Sequence, residues 1–115
     1  MATNSIEAQL SRIVAQMKAY EQQVHQALAE TLETHAQQVA DDAKALAPVD
    51  TGTLRDSIEV VKTDELHYQV VATAPYAAEV ELGTSRQAAE PFLFPAFEAT
   101  RNDLQQELAK ALKNA

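Results

Sequence analysis

Few side chains in this chain of 115 residues could do chemistry, and their spacing disfavours each use in turn. His25, His35 and His67 are the obvious bases or metal ligands. Ten residues separate His25 from His35, whereas two ligands on one helix need to lie about three to five residues apart. His35 lies near an apolar stripe and His67 within a strand pattern, so packed or surface roles are expected for all three. Neighbouring carboxylates at Asp41-Asp42, Asp64-Glu65 and Glu79/Glu81 could in principle serve as acid–base pairs. With 17 acidic residues in the chain such neighbours carry no specificity, and solvated faces are the expected outcome. Ser85 follows Gly83-Thr84 but lacks the Gly-x-Ser-x-Gly elbow and has no triad partner beside it. Without cysteine there is no disulfide, thiolate nucleophile or thiolate metal site. Two glycines cannot build a phosphate cradle. The chain reads as a non-enzyme, with no catalytic, metal-binding or cofactor-binding residue expected.

Composition narrows the class further. Seventeen acidic residues against 9 basic give a formal net charge of -8, which disfavours a general polyanion binder. The first 30 residues lack a basic start followed by an apolar core, so no signal peptide is expected. No apolar run approaches the length of a membrane span. These features predict a protein made in a cytoplasm, or built into a particle assembled there. Twenty-two Ala and 11 Gln, with only 2 Gly and 4 Pro, favour helix strongly. Three Phe, three Tyr and no Trp leave a thin core of small side chains, marginal at this length and open to help from partners.

The elements that must carry any site begin with a long helix over residues 4–46, because neither Gly nor Pro interrupts that stretch. Asn4 with Glu7 three residues on suggests its cap. Apolar residues recur at Ile6, Leu10, Ile13, Met17, Tyr20 and Val24 in alternating steps of four and three, a heptad seam. Longer steps follow at Leu28, Leu32, Ala36, Val39, Ala43 and Leu46. About 42 residues at 1.5 Å each make roughly 63 Å. A compact domain of this size has a radius of gyration of about 13 Å. Either the helix kinks, near Thr31 to His35, or it projects beyond its own domain and needs a partner, most simply a second copy.

Ala47-Pro48-Val49-Asp50-Thr51-Gly52-Thr53 then breaks the helix. Residues 54–73 read as an antiparallel β-hairpin or small sheet: Ile58 to Lys62 and Leu66 to Thr73 are rich in β-branched and aromatic residues around a Thr63-Asp64-Glu65 loop. An isolated hairpin is marginal, so this one must pack on a helix. Residues 76–83 fit a short helix with Gly83 as a left-handed cap. Residues 84–91 form an exposed loop, and 95–113 a closing helix with Phe94, Phe97, Leu104, Leu108 and Leu112 as its apolar stripe. The expected fold is one α+β domain over residues 1–115, most of it helical. Residues 47 to 91 hold eight acidic against three basic residues; this surplus reads as solubility, as a surface that repels DNA, or as one that docks on a basic partner.

Two stretches together resemble a known family. They are Ala47-Pro48-Val49-Asp50-Thr51-Gly52-Thr53-Leu54-Arg55-Asp56-Ser57-Ile58 and Ala74-Pro75-Tyr76-Ala77-Ala78-Glu79-Val80-Glu81-Leu82-Gly83-Thr84-Ser85, the second continuing to Pro91-Phe92-Leu93-Phe94-Pro95-Ala96. Their order and spacing are similar to the tail-component, or tail completion, proteins of long-tailed bacteriophages and prophages, of the type of lambda's minor tail protein Z. The resemblance implies an architectural, non-catalytic virion protein of the neck, where head and tail join. It implies a homo-oligomeric ring, a hexamer favoured, between head-closure proteins and the tail terminator, with DNA passing through without sequence-specific binding and no membrane involved. In that frame Pro48, Asp50 and Gly52 turn the chain from helix into sheet, Leu54 and Ile58 plug the core, and Arg55 pairs with a nearby carboxylate. Pro75, Tyr76, Val80 and Leu82 seat the short helix, Gly83 releases the loop, and Pro91, Phe92, Leu93, Phe94, Pro95 and Phe97 anchor the returning segment. Thr84, Ser85, Arg86 and Gln87 are the expected subunit contact, with Arg86 reaching Glu79 or Glu81 of the adjoining copy. Competing readings are a self-associating helical module, an acidic DNA mimic and a small enzyme with a carboxylate pocket.

Overall fold

A computed structural model describes residues 2–49 and 52–114, with side chains from Ile6 onward in the first helix. That helix, α1, spans Ala2–Leu46 without a break. It begins ahead of Asn4, since Ala2 and Thr3 hold no breaker, so Asn4 lies inside the first turn and its side chain falls outside the described residues. The stretch from Thr31 to His35 stays helical. The hydroxyls of Thr31 and Thr34 donate to the carbonyls of Ala27 (2.8 Å) and Glu30 (3.0 Å), one turn back, and so do not draw the chain into a turn. At 1.5 Å per residue α1 is about 67 Å long, and the chain measures 81 × 24 × 22 Å. Its radius of gyration is 21.4 Å, where a compact chain of this length would have about 13 Å.

The other elements are α2 (Thr53–Asp56), β1 (Ile58–Asp64), β2 (His67–Ala72), α3 (Ala77–Leu82) and α4 (Leu93–Asn114), which complete an α+β fold. They gather around the C-terminal half of α1. The helix α4 runs back along α1 until Asn114 reaches the side of Gln23. Every residue from Ile6 to Gln23 is exposed, and this bare arm holds most of the heptad seam.

The core shows what the alanine-rich composition achieves. Its buried apolar residues are Ala40, Ala43, Ala47, Leu54, Ile58, Ala74, Ala77, Phe92 and Ala96. Small residues on α1 and α4 allow the helices to approach closely. Phe92, at 0% exposure, is the one large side chain among them that is fully buried. The buried face of α1 follows Ala36, Val39, Ala40, Ala43 and Ala47. Leu46, expected in the stripe, is half-exposed because the helix ends there and Ala47 takes the inward position, its N–H still bonded to the Ala43 carbonyl at 2.9 Å.

Of the span expected as hairpin, the first residues are a helical turn. Gly52 sits at φ 83 and ψ -3, a left-handed conformation that leads straight into α2. The N–H groups of Asp56 and Ser57 close the turn on the carbonyls of Gly52 (2.9 Å) and Thr53 (3.0 Å), and Leu54 drops into the core. Asp50 and Thr51, also expected in this turn, lie outside the described residues. The strands β1 and β2 pair antiparallel, with Ile58 opposite Ala72 and Lys62 opposite Tyr68; the register shifts between Lys62 and Asp64, leaving Thr63 as an extra residue. Val60, Val70 and Ala72 face the core. The hairpin is held at both ends: Thr73 donates its N–H (3.2 Å) and hydroxyl (3.3 Å) to the Ser57 carbonyl, and the Glu65 carboxylate at the tip meets His25 Nε2 on α1.

In α4 the inward positions are Leu93, Ala96, Thr100, Leu104, Leu108 and Ala111, so Phe94, Phe97 and Leu112, expected in the stripe, flank it instead and are about half-exposed or more. The reason is that Phe92, immediately before the helix, already occupies the core. Replacing Phe92 with Ala should cost about 3–5 kcal/mol in urea unfolding, while Leu10→Ala on the arm should stay within about 0.5 kcal/mol; equal losses would contradict this division between body and arm.

Candidate assembly surfaces

The two motif stretches meet in space. Pro48, Leu54, Tyr76, Glu79, Gln87 and Glu90 line one open cleft of about 610 Å³ between the α1–α2 turn and α3. Pro75 opens α3 through a turn in which the Ala77 N–H donates to the Ala74 carbonyl (3.0 Å), with Tyr76 at φ -97 and ψ 7 as a type I turn requires. Ala77 and Val80 face inward. Leu82, expected to help seat this helix, is 78% exposed, because five residues beyond Ala77 the helix has turned it to the opposite side. Arg55 pairs with its neighbour Asp56 at 3.4 Å on the surface, a contact of little energetic weight.

Glu79 and Glu81, two residues apart, have different surroundings. Glu79 lines the cleft. Glu81 reaches the start of α4, where its two oxygens accept the N–H groups of Phe92 (2.9 Å), Leu93 (2.8 Å) and Phe94 (3.1 Å). A helix N-terminus presents donors without intrahelical partners, and the next residue here, Pro95, has none to offer. One carboxylate therefore satisfies the donors at this terminus, where the helix dipole also favours negative charge. Both oxygens being engaged, Glu81 is taken up within its own chain, and Glu79 is the free acid of the pair considered for the subunit contact.

The connecting loop is tightly organised for an exposed segment. The Thr84 hydroxyl accepts the N–H groups of Arg86 (3.2 Å) and Gln87 (3.1 Å), the Thr84 N–H donates to the Gln87 carbonyl (2.9 Å), and the Glu90 N–H returns to the Val80 carbonyl (2.8 Å). Gly83 has φ 77 with ψ 172, so the expected positive φ is present but the residue is extended, outside the left-handed helical well. A Cβ there would stand 2.7 Å from the Ala89 nitrogen. Ser85 and Arg86 are exposed at the turn, Pro91 is exposed beyond it, and Arg86 is in no ion pair among the described residues.

The remaining chemical candidates disperse. His67 Nδ1 lies 3.6 Å from Asp64, and His35 Nδ1 is buried without a hydrogen-bond partner. Asp41 and Asp42 accept from Gln37 (3.1 Å) and Gln38 (2.9 Å) along α1. Among the described residues no cluster of His, Asp and Glu could hold a metal ion, and no helix is long and apolar enough to cross a membrane. A second opening, about 590 Å³ and mostly apolar, runs between α1, β2 and α4, with Phe94 and Phe97 on its α4 side. Neither this groove nor the Glu81 bracket was expected from sequence. The bracket joins residues at least eleven positions apart, beyond any local capping pattern.

Residues 11–83 match the family model described as "Bacteriophage HK97-gp10, putative tail-component". The match covers more than half the chain, and the chain belongs to this family of bacteriophage tail components. It includes the seam from Ile13 onward, the breaker, the hairpin and α3, and ends at Gly83, before the loop and α4. No curated protein and no solved structure matches the chain significantly.

Glu81→Ala should cost about 1–3 kcal/mol by removing a charged acceptor from three backbone donors. Glu81→Gln, which keeps one acceptor oxygen, should cost less, and Glu79→Ala should stay within about 0.5 kcal/mol. Equal losses at positions 79 and 81 in urea titrations would refute the bracket. Gly83→Ala should destabilise by more than about 1 kcal/mol, since Ala must take a positive φ against the Ala89 backbone.

Proposed function

We infer that this structural tail component acts at the neck, completing the tail at the head–tail interface as one subunit of a homo-oligomeric ring around the DNA channel. A hexamer is the favoured ring, lying between head-closure and tail-terminator proteins in the virion. The observation that carries this reading is the arm: Ile6, Leu10, Ile13, Val14, Met17 and Tyr20 are each about half-exposed on a helix that leaves its own body. Covering such a side chain stabilises by on the order of 1 kcal/mol, and surfaces of this kind mark protein contacts. A tail component with an unpartnered seam and a small alanine core is suited to an assembly in which neighbours supply the missing burial.

The loop supports a second contact. Arg86 stands exposed on a rigid turn while Glu79 and Glu90 line the cleft, so an arginine from one copy can meet Glu79 of the next. The acidic surplus of residues 47–91 suits a channel lining to which DNA does not adhere.

Phage lysates lacking this chain should contain filled heads and finished tails lying separate, which join when purified protein is added back. Intact infectious particles without the chain would overturn the neck role. In the same add-back assay Leu10→Glu and Arg86→Glu should restore joining poorly although both proteins melt like the parent, because neither side chain is buried in the body. Undiminished joining by either variant would exclude the corresponding contact.

A further inference from the structure

The chain leaves two apolar surfaces open, one a ridge and the other a groove. One is the ridge of the arm, where Ile6, Leu10, Ile13, Met17 and Tyr20 form a seam one helix wide. The other is the groove between α1, β2 and α4, with Leu32, Val39 and Val70 from α1 and β2, and Phe94, Phe97 and Leu104 from α4. We propose that the groove of each copy receives the arm of a second copy, so that the chains associate head to tail. This rests on the reading that the chain assembles into a ring, and it identifies the contact that joins one subunit to the next.

Dimensions agree. From Ile6 to Tyr20 the ridge runs about 21 Å, and the α4 side of the groove from Phe94 to Leu104 runs about 15 Å. The occupant has to be another molecule, because α1 is unbroken from Ala2 to Leu46 and carries its own arm away from its own groove. Charge is compatible with the same pairing. Between Ile6 and Gln23 the arm carries Arg12 and Lys18 against Glu7 and Glu21 and is balanced, while residues 47–91 carry eight acidic against three basic side chains. Arm against body therefore brings no like net charges together, whereas two bodies meeting through their acidic segments would repel.

The alternative occupant, a second arm, would cover the seam but leave the groove and its two phenylalanines open. An antiparallel pair of arms is also isologous and stops at a dimer, whereas an arm-in-groove contact is heterologous and closes into a ring when the rotation between subunits permits.

This chain has no cysteine, so introduced thiols are the only ones it carries, and products are read as multimers of this chain alone. Ile13→Cys combined with Phe94→Cys, and Met17→Cys combined with Phe94→Cys, alter exposed side chains only and sample two registers. Add-back particles carrying each double variant would be treated with a short bismaleimide and separated under denaturing conditions. The expected result is a ladder of covalent multimers from at least one double variant and no product from any single variant. Dimers from Ile13→Cys or Met17→Cys alone would show arm meeting arm and overturn the proposal. So would particles that retain both double variants without cross-links. Heads and tails that join without the chain would instead remove the neck reading, and this contact with it.

Discussion

The body of this protein depends on how α4 begins. Its first turn must bury Phe92, align Leu93 and Ala96 with the alanines of α1, and still satisfy the backbone donors that every helix start presents. The carboxylate of Glu81 meets that requirement from the end of α3, binding the N–H groups of Phe92, Leu93 and Phe94 where Pro95 contributes none. The bracket links the last element of the family-matched region to the helix beyond it, and the loop between them is anchored at Val80, Thr84 and Glu90. A segment that looks irregular in sequence is therefore held at both ends and at its turn.

A core built around alanine and one phenylalanine holds α1 and α4 close, but it buries little large apolar surface. Most of the exposed large apolar side chains lie on the arm and along the open groove, with Leu46 and Val49 around the end of α1, Tyr76 and Leu82 at the two ends of α3 and Leu112 near the end of α4. This distribution is what a subunit needs if it completes its burial within an assembly, and it separates the residues that fold the body from those left for contact.

Much of this was legible in the sequence where the signals are local. The long helix followed from an uninterrupted apolar period, the strands from β-branched runs around a polar turn, and α3 from its flanking Pro75 and Gly83. The family was legible from the two motif stretches. What was not legible depends on the third dimension. α2 is a single turn imposed by Gly52 and anchored by Leu54, too short for periodicity to reveal. The inward face of α4 is displaced from Phe94 and Phe97 because Phe92 fills the core first. Glu79 and Glu81 look alike in sequence, and only the path of the returning chain separates them. The contact between His25 and Glu65 spans forty residues and leaves no local pattern.

The uncovered arm has a further consequence for order in time. A helix with no tertiary cover is held by hydrogen bonding and propensity alone, which sustain short isolated helices only weakly in water. The arm is thus the portion of α1 whose backbone opens most readily, while the stretch beneath α4 opens only with the body. Docking would slow that opening along the whole arm at once, so folding of the arm and addition of a subunit become one cooperative step. With the proposed contact, such a chain gains its final rigidity only where a neighbour is already in place.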